Sequence, residues 1–251
     1  MENSKLPFTY WYLAFMMITG TRKSFSALEV QRQIGHKFYK PVWTMMDKIR
    51  RVMGKRDAQY QLAGQLEMDE GFFKSVQPLQ KDSRGKILPR RKSHAGKGNP
   101  SQAFVLVMAE SVSNPDNKNK HRSNRIVKHN KMVAIPDHKT DAIHAEMKTH
   151  VSSDSSVITD DAGQDDKLKS VIKEHEAVNL KRTGRKADQV LPWVHKAISN
   201  AKRNFLGIHH SIGQGYIQNY LNEFCFKLNR RYNHMDVFDR MIRCAASYQW
   251  I

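Results

Sequence analysis

Residues 65–73 read QLEMDEGFF. Leu66, Met68, Phe72 and Phe73 fit a short strand whose centre is acidic. A carboxylate inside a core strand is costly to bury unless it is paired or holds a cation, so Asp69 needs a reason to be there. Outward from this stretch, residues 104–108 (FVLVM) form a continuous apolar run, the mark of a strand buried on both faces. Residues 125–135 read as a third, weaker strand, 140–150 as a helix and 156–159 (SVIT) as a short apolar strand. A helix over 166–174, a last strand over 177–180 and helix from Pro192 onward complete the reading. That succession predicts the α/β class, with a mixed central sheet and helices packed on it.

The N-terminal 57 residues read differently. Pro7 suits the first turn of a helix over 8–19, Gly20 breaks it, and Ser24 and Ser26 offer caps for 27–34. Gly35 stops that helix, and a third follows over about 41–52. A short helix, a glycine turn and a basic-ended helix are the parts of a helix-turn-helix, with Lys48, Arg50, Arg51, Lys55 and Arg56 at the exit for DNA. The competing reading is a plain three-helix bundle.

The chain has 251 residues, 39% of them hydrophobic, enough for a real core and too rich for disorder. Lys and Arg number 42 against 24 Asp and Glu, a net charge of +18, which makes nucleic acid the leading partner. Two cysteines, Cys225 and Cys244, cannot form a disulfide framework or a four-cysteine zinc site, and they suit a reducing cytoplasm. The longest apolar run, 6–18, is too short to span a bilayer. Two segments are unusually basic: 81–100 holds seven Lys or Arg against one Asp, and 116–131 holds six against one. A charge run is ordinarily a solvated loop. Two of them flanking one buried strand point to phosphate-contacting loops, contributing Arg84, Lys86, Arg90, Arg91, Lys92, Lys97, Arg122 and Arg125.

A second strand-borne carboxylate, Asp160, ends the SVIT run. Mg²⁺ takes carboxylate oxygens and keeps open positions, so Asp69 and Asp160 make a plausible metal pair. The alternative is a turn residue and a helix cap, with Asp165 and Asp166 close by. His195 follows Asp160 by 35 residues and Lys202 follows His195 by 7, which places the last two within about 20° on one helix face. Pro192 sets His195 near the positive end of that helix, which disfavours a proton on the imidazole. The stripe Ile217, Tyr220, Leu221, Phe224, Leu228 reads as core, with a dimer contact as its alternative.

Taken in order, ENSKLPFTYWYLA, SFSALEVQRQIG, LEMDEGFF, SHAGKGNPSQAFVLV, VITDDAG, LPWVHKAISNAKRNFLGIHH and YLNEFCFKLNRR resemble the DDE-type transposases of bacterial insertion sequences related to eukaryotic Merlin elements, the ISXO type. The resemblance runs from residue 2 to about 231. It implies a ribonuclease-H-like catalytic core over 61–212, a helix-turn-helix-like region over 1–60 and C-terminal helices over 213–251 packing on the core. By resemblance, Asp69 and Asp160 bind two Mg²⁺ or Mn²⁺ ions, His195 takes the third ligand position, and Lys202 holds the transposon-end phosphate. Lys181, Arg182, Arg185, Lys186 and Arg203 add to the grip on DNA backbone.

The implied activity is cleavage at transposon ends and strand transfer into target DNA by a homodimer or larger assembly on double-stranded DNA. The setting is the bacterial cytoplasm and nucleoid, without membrane. Two departures stand out. The third ligand position holds histidine in place of the common glutamate, which tilts the site towards Mn²⁺. The family's N-terminal cysteine-rich ribbon has no counterpart here, so no zinc site is expected. A truncated copy, a late start codon or a variant reading ends with residues 20–57 alone would each account for that. The rival function is a truncated, non-catalytic DNA-binding relic or repressor.

Overall fold

The computed structural model describes residues 4–94, 99–114, 117, 124–136, 140–160, 171–232, 236–248 and 250. The chain divides into two compact units, one comprising Gln61–Leu206 with His210–Gln218, the other Met1–Tyr60, Gly207–His209 and Asn219–Ile251.

The first unit is built on a sheet. β1 (Gln65–Val76) pairs antiparallel with β2 (Gln102–Ser113), and β2 pairs antiparallel with β3 (Arg125–Ile135). β4 (Ser156–Asp160) lies parallel to β1, and β5 (Glu174–Val178) parallel to β4. The order is therefore β3-β2-β1-β4-β5, with the two-residue β6 (Ile212–Gly213) on the end of β1. A mixed central sheet is what the sequence leads one to expect. β2 is the strand whose continuous apolar run reads as doubly buried, and Val105 to Met108 are all at most 1% exposed. Around the sheet lie α4 (Thr140–His150), the short α5 (Leu180–Thr183) and α6 (Ala187–Val190), and the long α7 (Pro192–His209). α7 buries Val194, Ala197, Ile198, Ala201 and Phe205, the i, i+3, i+4, i+7 stripe of a helix laid on a core.

The second unit is helical: α1 (Phe8–Gly20), α2 (Ala27–Ile34), α3 (Tyr39–Asp57), α8 (Ile217–Asn229) from Asn219, and α9 (Val237–Ala246). Ser26 caps α2 by accepting the Glu29 N–H at 3.0 Å, and Gly35 closes it at φ 67°, a left-handed angle that suits glycine. Trp11, Phe15, Ile18, Met46 and Ile49 share one core with Phe226 of α8 and Val237 and Met241 of α9. Arg230 joins Asp57 at 2.6 Å, tying the segment after α8 to the end of α3.

Three sequence expectations change here. Residues 219–251 belong to the helical unit and not to the sheet unit, because their apolar stripes complete the core that three short N-terminal helices leave open. Most of the helix expected over 166–174 lies outside the described residues; its last part, 171–173, is turn, and Glu174 opens β5. The last strand spans Glu174–Val178, ahead of the expected 177–180, because parallel pairing to β4 sets its register and the local apolar pattern does not. Among the described residues no helix is long and apolar enough to cross a membrane.

Candidate active site

The register of β1 against β4 pairs Gln65 with Ser156 and, three residues on, Met68 with Thr159. One further step along each strand brings Asp69 beside Asp160. The two aspartates, 91 residues apart in sequence, each follow the last pair of this register, and the Asp160 carboxylate raises the pKa of Asp69. Asp160 ends its strand next to buried Thr159, whose hydroxyl meets His175 Nε2 of β5 at 2.9 Å.

α7 brings the third group. The imidazole Nε2 of His195 faces Asp69 Oδ2 at 3.6 Å, outside hydrogen-bond range. That nitrogen is shielded from solvent and has no hydrogen-bond partner among the described residues, although the side chain as a whole is 32% exposed. The Asp69 carboxyl is pushed up to about 6, first by burial and then by the Asp160 and Glu70 carboxylates. The Glu70 N–H, donated to Asp69 Oδ1 at 2.7 Å, and His195 pull the other way. Such an arrangement is short of positive charge, and a divalent cation would supply it.

Two carboxylates and an imidazole with an unpaired nitrogen are suitable donors for Mg²⁺ or Mn²⁺. They are not drawn together into a ready ligand cluster: among the described residues no group of three His, Cys, Asp or Glu is placed to hold a metal.

One face of β1 runs along α7. Glu67 accepts the Trp193 and Val194 backbone N–H groups on one carboxylate oxygen, at 2.7 and 3.1 Å. Asp69 faces His195. Gly71 leaves room for the Phe73 ring, which an added Cβ would meet at 2.9 Å, while Ile198 of α7 would lie in ordinary contact at 3.5 Å. Phe73 stacks with Phe205 at 5.8 Å between centroids and lies 5.8 Å from the Lys202 ammonium. Lys202 itself is exposed, two turns further along the helix face that carries His195. Sequence reasoning missed Glu67. Its signal lies in the alternation of 67, 69, 71 and 73 on one strand face, read there only for Asp69. Glu67 also takes the positive end of α7, so that end does not act on His195 alone.

The basic run at 81–100 is a built element over its described part. Asp82 Oδ1 accepts the Arg84 and Lys86 N–H groups, both at 2.9 Å, and Lys81 bridges to Ile87 in antiparallel fashion. Gln77 then clamps Arg91 through its side chain, donating to the Arg91 carbonyl at 2.8 Å and accepting its N–H at 3.1 Å. Arg84, Lys86, Arg90, Arg91 and Lys92 all stand exposed on this hairpin. Arg182 and Arg203 are exposed as well, with Arg203 also reaching Asn200. Lys48 is half-buried and Arg51 is exposed beside Asp47 at 3.0 Å. Arg125 is half-buried and donates to the Ser111 hydroxyl at 3.0 Å and carbonyl at 2.6 Å. Lys97, Arg122 and the side chain of Lys181 lie outside the described residues.

Arg50 is a correction. Expected to contact DNA, it is 1% exposed, paired with Glu223 at 2.8 Å, donating to the Phe25 carbonyl at 3.1 Å and stacked 4.1 Å from the Tyr220 ring. A guanidinium buried in a helical core and paired there with a carboxylate is out of reach of a DNA phosphate.

The family model of the ISXO2-like transposase domain matches residues 61–229, more than half of the 251. This chain belongs to that family. Among solved structures, the chain is similar to the Mos1 strand transfer complex (TM-score 0.35, 10% identity, covering 100% of this chain and 82% of that chain). It is also similar to a pre-cleavage Mos1 transpososome (0.35, 9%, 100% and 82%) and to the Mos1 mariner paired end complex with Mn (0.34, 12%, 98% and 81%). No curated protein matches. Membership of the ISXO2-like transposases rests on the domain match.

Proposed function

We propose that this chain catalyses DNA cleavage at the ends of its own insertion sequence and transfer of the freed 3′-hydroxyl into target DNA. The observation that supports the reading is His195 Nε2 at 3.6 Å from Asp69 Oδ2, with Asp160 following the last pair of the β1–β4 register, in a transposase-family domain. Asp69, Asp160 and His195 would hold two divalent cations, which supply the charge neutralisation and the activated oxygen that phosphodiester displacement needs. Lys202, exposed on the same face of α7 as His195, is placed to hold a phosphate of the bound strand. The hairpin cations Arg84, Lys86, Arg90, Arg91 and Lys92 grip the backbone without reading sequence, and Arg182 and Arg203 extend that grip. Both chemical steps are in-line displacements, so positioning and charge are what the protein has to provide. The DNA partner is double-stranded, engaged by two or more copies of the chain.

A second reading is favoured by one observation, that the three donors are not gathered into a ready cluster. On that reading the chain occupies transposon ends without cutting them. Labelled DNA carrying the element's ends, incubated with Mg²⁺, Mn²⁺ or EDTA, separates the two. Cutting at the ends that EDTA abolishes supports the transposase, whereas salt-sensitive binding without cutting in either metal supports the repressor.

A further inference from the structure

Glu67 has no part in the chemistry described above, yet it is a buried carboxylate, 7% exposed, on the same strand face as Asp69 and two residues from it. A buried charge is costly, and a strand lying under a helix is satisfied by leucine or valine. Glu67 is instead spent on the first turn of α7. The first N–H groups of a helix have no partner within it, and here two consecutive ones, on Trp193 and Val194, converge on a single Glu67 oxygen. His195 is the next residue. The remaining contacts along the seam are apolar or distant: Gly71 beside Ile198, Phe73 beside Phe205, Lys202 over Phe73. Apolar contacts resist separation but are poor at fixing axial position, whereas paired hydrogen bonds are directional. A slip of α7 by one residue would move His195 about 1.5 Å along β1.

We infer that Glu67 is a positioning residue: by pinning the first turn of α7 to β1, it sets the separation of His195 from Asp69. This rests on the transposase reading for its consequence, though not for its geometry.

The test compares E67A and E67Q with the wild type and with D69N. The glutamine variant keeps an oxygen that can accept both N–H groups; the alanine variant does not. Amide exchange of Trp193 and Val194, followed by NMR, reads the geometry directly, since first-turn amides without an acceptor exchange freely. The expected result is rapid exchange in E67A and near-wild-type protection in E67Q. In end cleavage, E67A is expected to lose about 100-fold in kcat with KM within about twofold, measured well below its Tm. Binding of Mn²⁺ alone, followed by calorimetry, is expected to weaken in E67A and to hold in E67Q.

Unchanged protection of Trp193 and Val194 in E67A overturns the inference, as does an E67A enzyme with wild-type kcat and Mn²⁺ affinity whose only loss is in Tm. Should D69N cut DNA as well as the wild type, the transposase site is misassigned. The exchange result for Glu67 then still decides whether α7 is pinned.

Discussion

The Nε2 of His195 lies 3.6 Å from Oδ2 of Asp69, with no hydrogen-bond partner of its own among the described residues. A histidine and an aspartate that close would ordinarily pull into a hydrogen bond. Here they stop short of one, beside a second carboxylate that raises the Asp69 pKa.

Asp69→Asn and Asp160→Asn are expected to abolish end cleavage while leaving DNA affinity equal or slightly higher, because a negative charge is removed near the bound backbone. Asp69→Asn should also raise stability by about 2 kcal/mol, since the carboxylate ionises against its surroundings with a pKa lifted to about 6. Thermal unfolding and a strand-cleavage assay check both, and retained cleavage in either variant would remove the site assignment.

His195→Glu is expected to shift the metal preference from Mn²⁺ towards Mg²⁺, because imidazole is a softer donor than carboxylate. Cleavage measured over a series of Mg²⁺ and Mn²⁺ concentrations gives the ratio. An unaltered ratio would mean that His195 does not touch the metal.

Arg50→Ala should destabilise the helical unit by about 3–5 kcal/mol, as it strips one partner from a fully buried ion pair with Glu223. It should leave the salt dependence of DNA binding untouched when measured below the lowered Tm. Replacing Arg84, Lys86, Arg90 and Arg91 together with alanine should do the reverse. Stability should hold, and the slope of log K against log salt should shrink by roughly 0.9 for each phosphate no longer neutralised. A slope that changes in Arg50→Ala and not in the hairpin variant would invert the assignment.

Acid should act with opposite signs on the helical unit and on the Glu67 and Asp69 carboxyls of β1. In the helical unit, burial and then Arg50 bring His209 down to about 4, while Arg50 and Lys227 hold Glu223 at about 2 against its burial. Both values lie below the ordinary ones, so the folded unit binds fewer protons than the unfolded chain. The His209 contribution is complete above about 6.5 and lost towards pH 4, and that of Glu223 is lost between about 4.5 and 2. On β1 of the sheet unit Glu67 and Asp69, both at about 6 and raised first by burial, favour the folded state as pH falls from 7 to 4, whereas His150 of α4, brought down to about 4 by burial and then by Lys131, opposes them. Hydrogen exchange on peptides from 8–57 and 65–76, taken at pH 7 and pH 5 and corrected for intrinsic rates, should show protection falling in the first, and in the second rising in the wild type by more than in an E67Q/D69N variant. Movement of both in one direction would contradict these burials.

Gly71→Ala is expected to cost about 1–3 kcal/mol and to lower cleavage, since the new methyl would lie 2.9 Å from the Phe73 ring and push it against its partner Phe205 on α7. Thermal unfolding and the cleavage rate together check it, and a variant with wild-type values of both would show that this seam is loosely packed.

Much of the fold was legible because it is written in local rules. α2 has its serine cap and its closing glycine, β2 its unbroken apolar run, β3 and α4 their full spans, and Asp69 announced itself as a charge in an apolar strand. What the chain's own pattern determined, then, was the class of fold, the extents of several elements, and which carboxylates were out of place. Tertiary structure alone decided how distant charges were resolved. Arg50 looks like a basic helix end until Glu223, 173 residues later, neutralises it inside a core. Glu67 looks like one more acidic residue until the first turn of α7, 126 residues on, donates to it. β5, with Glu174, His175 and Glu176, carries no apolar alternation and is a strand only because β4 offers an edge. Propensity and periodicity act over a few neighbours along the chain. The cost of burying a charge is offset by whatever folding brings alongside it, and no local pattern records that partner.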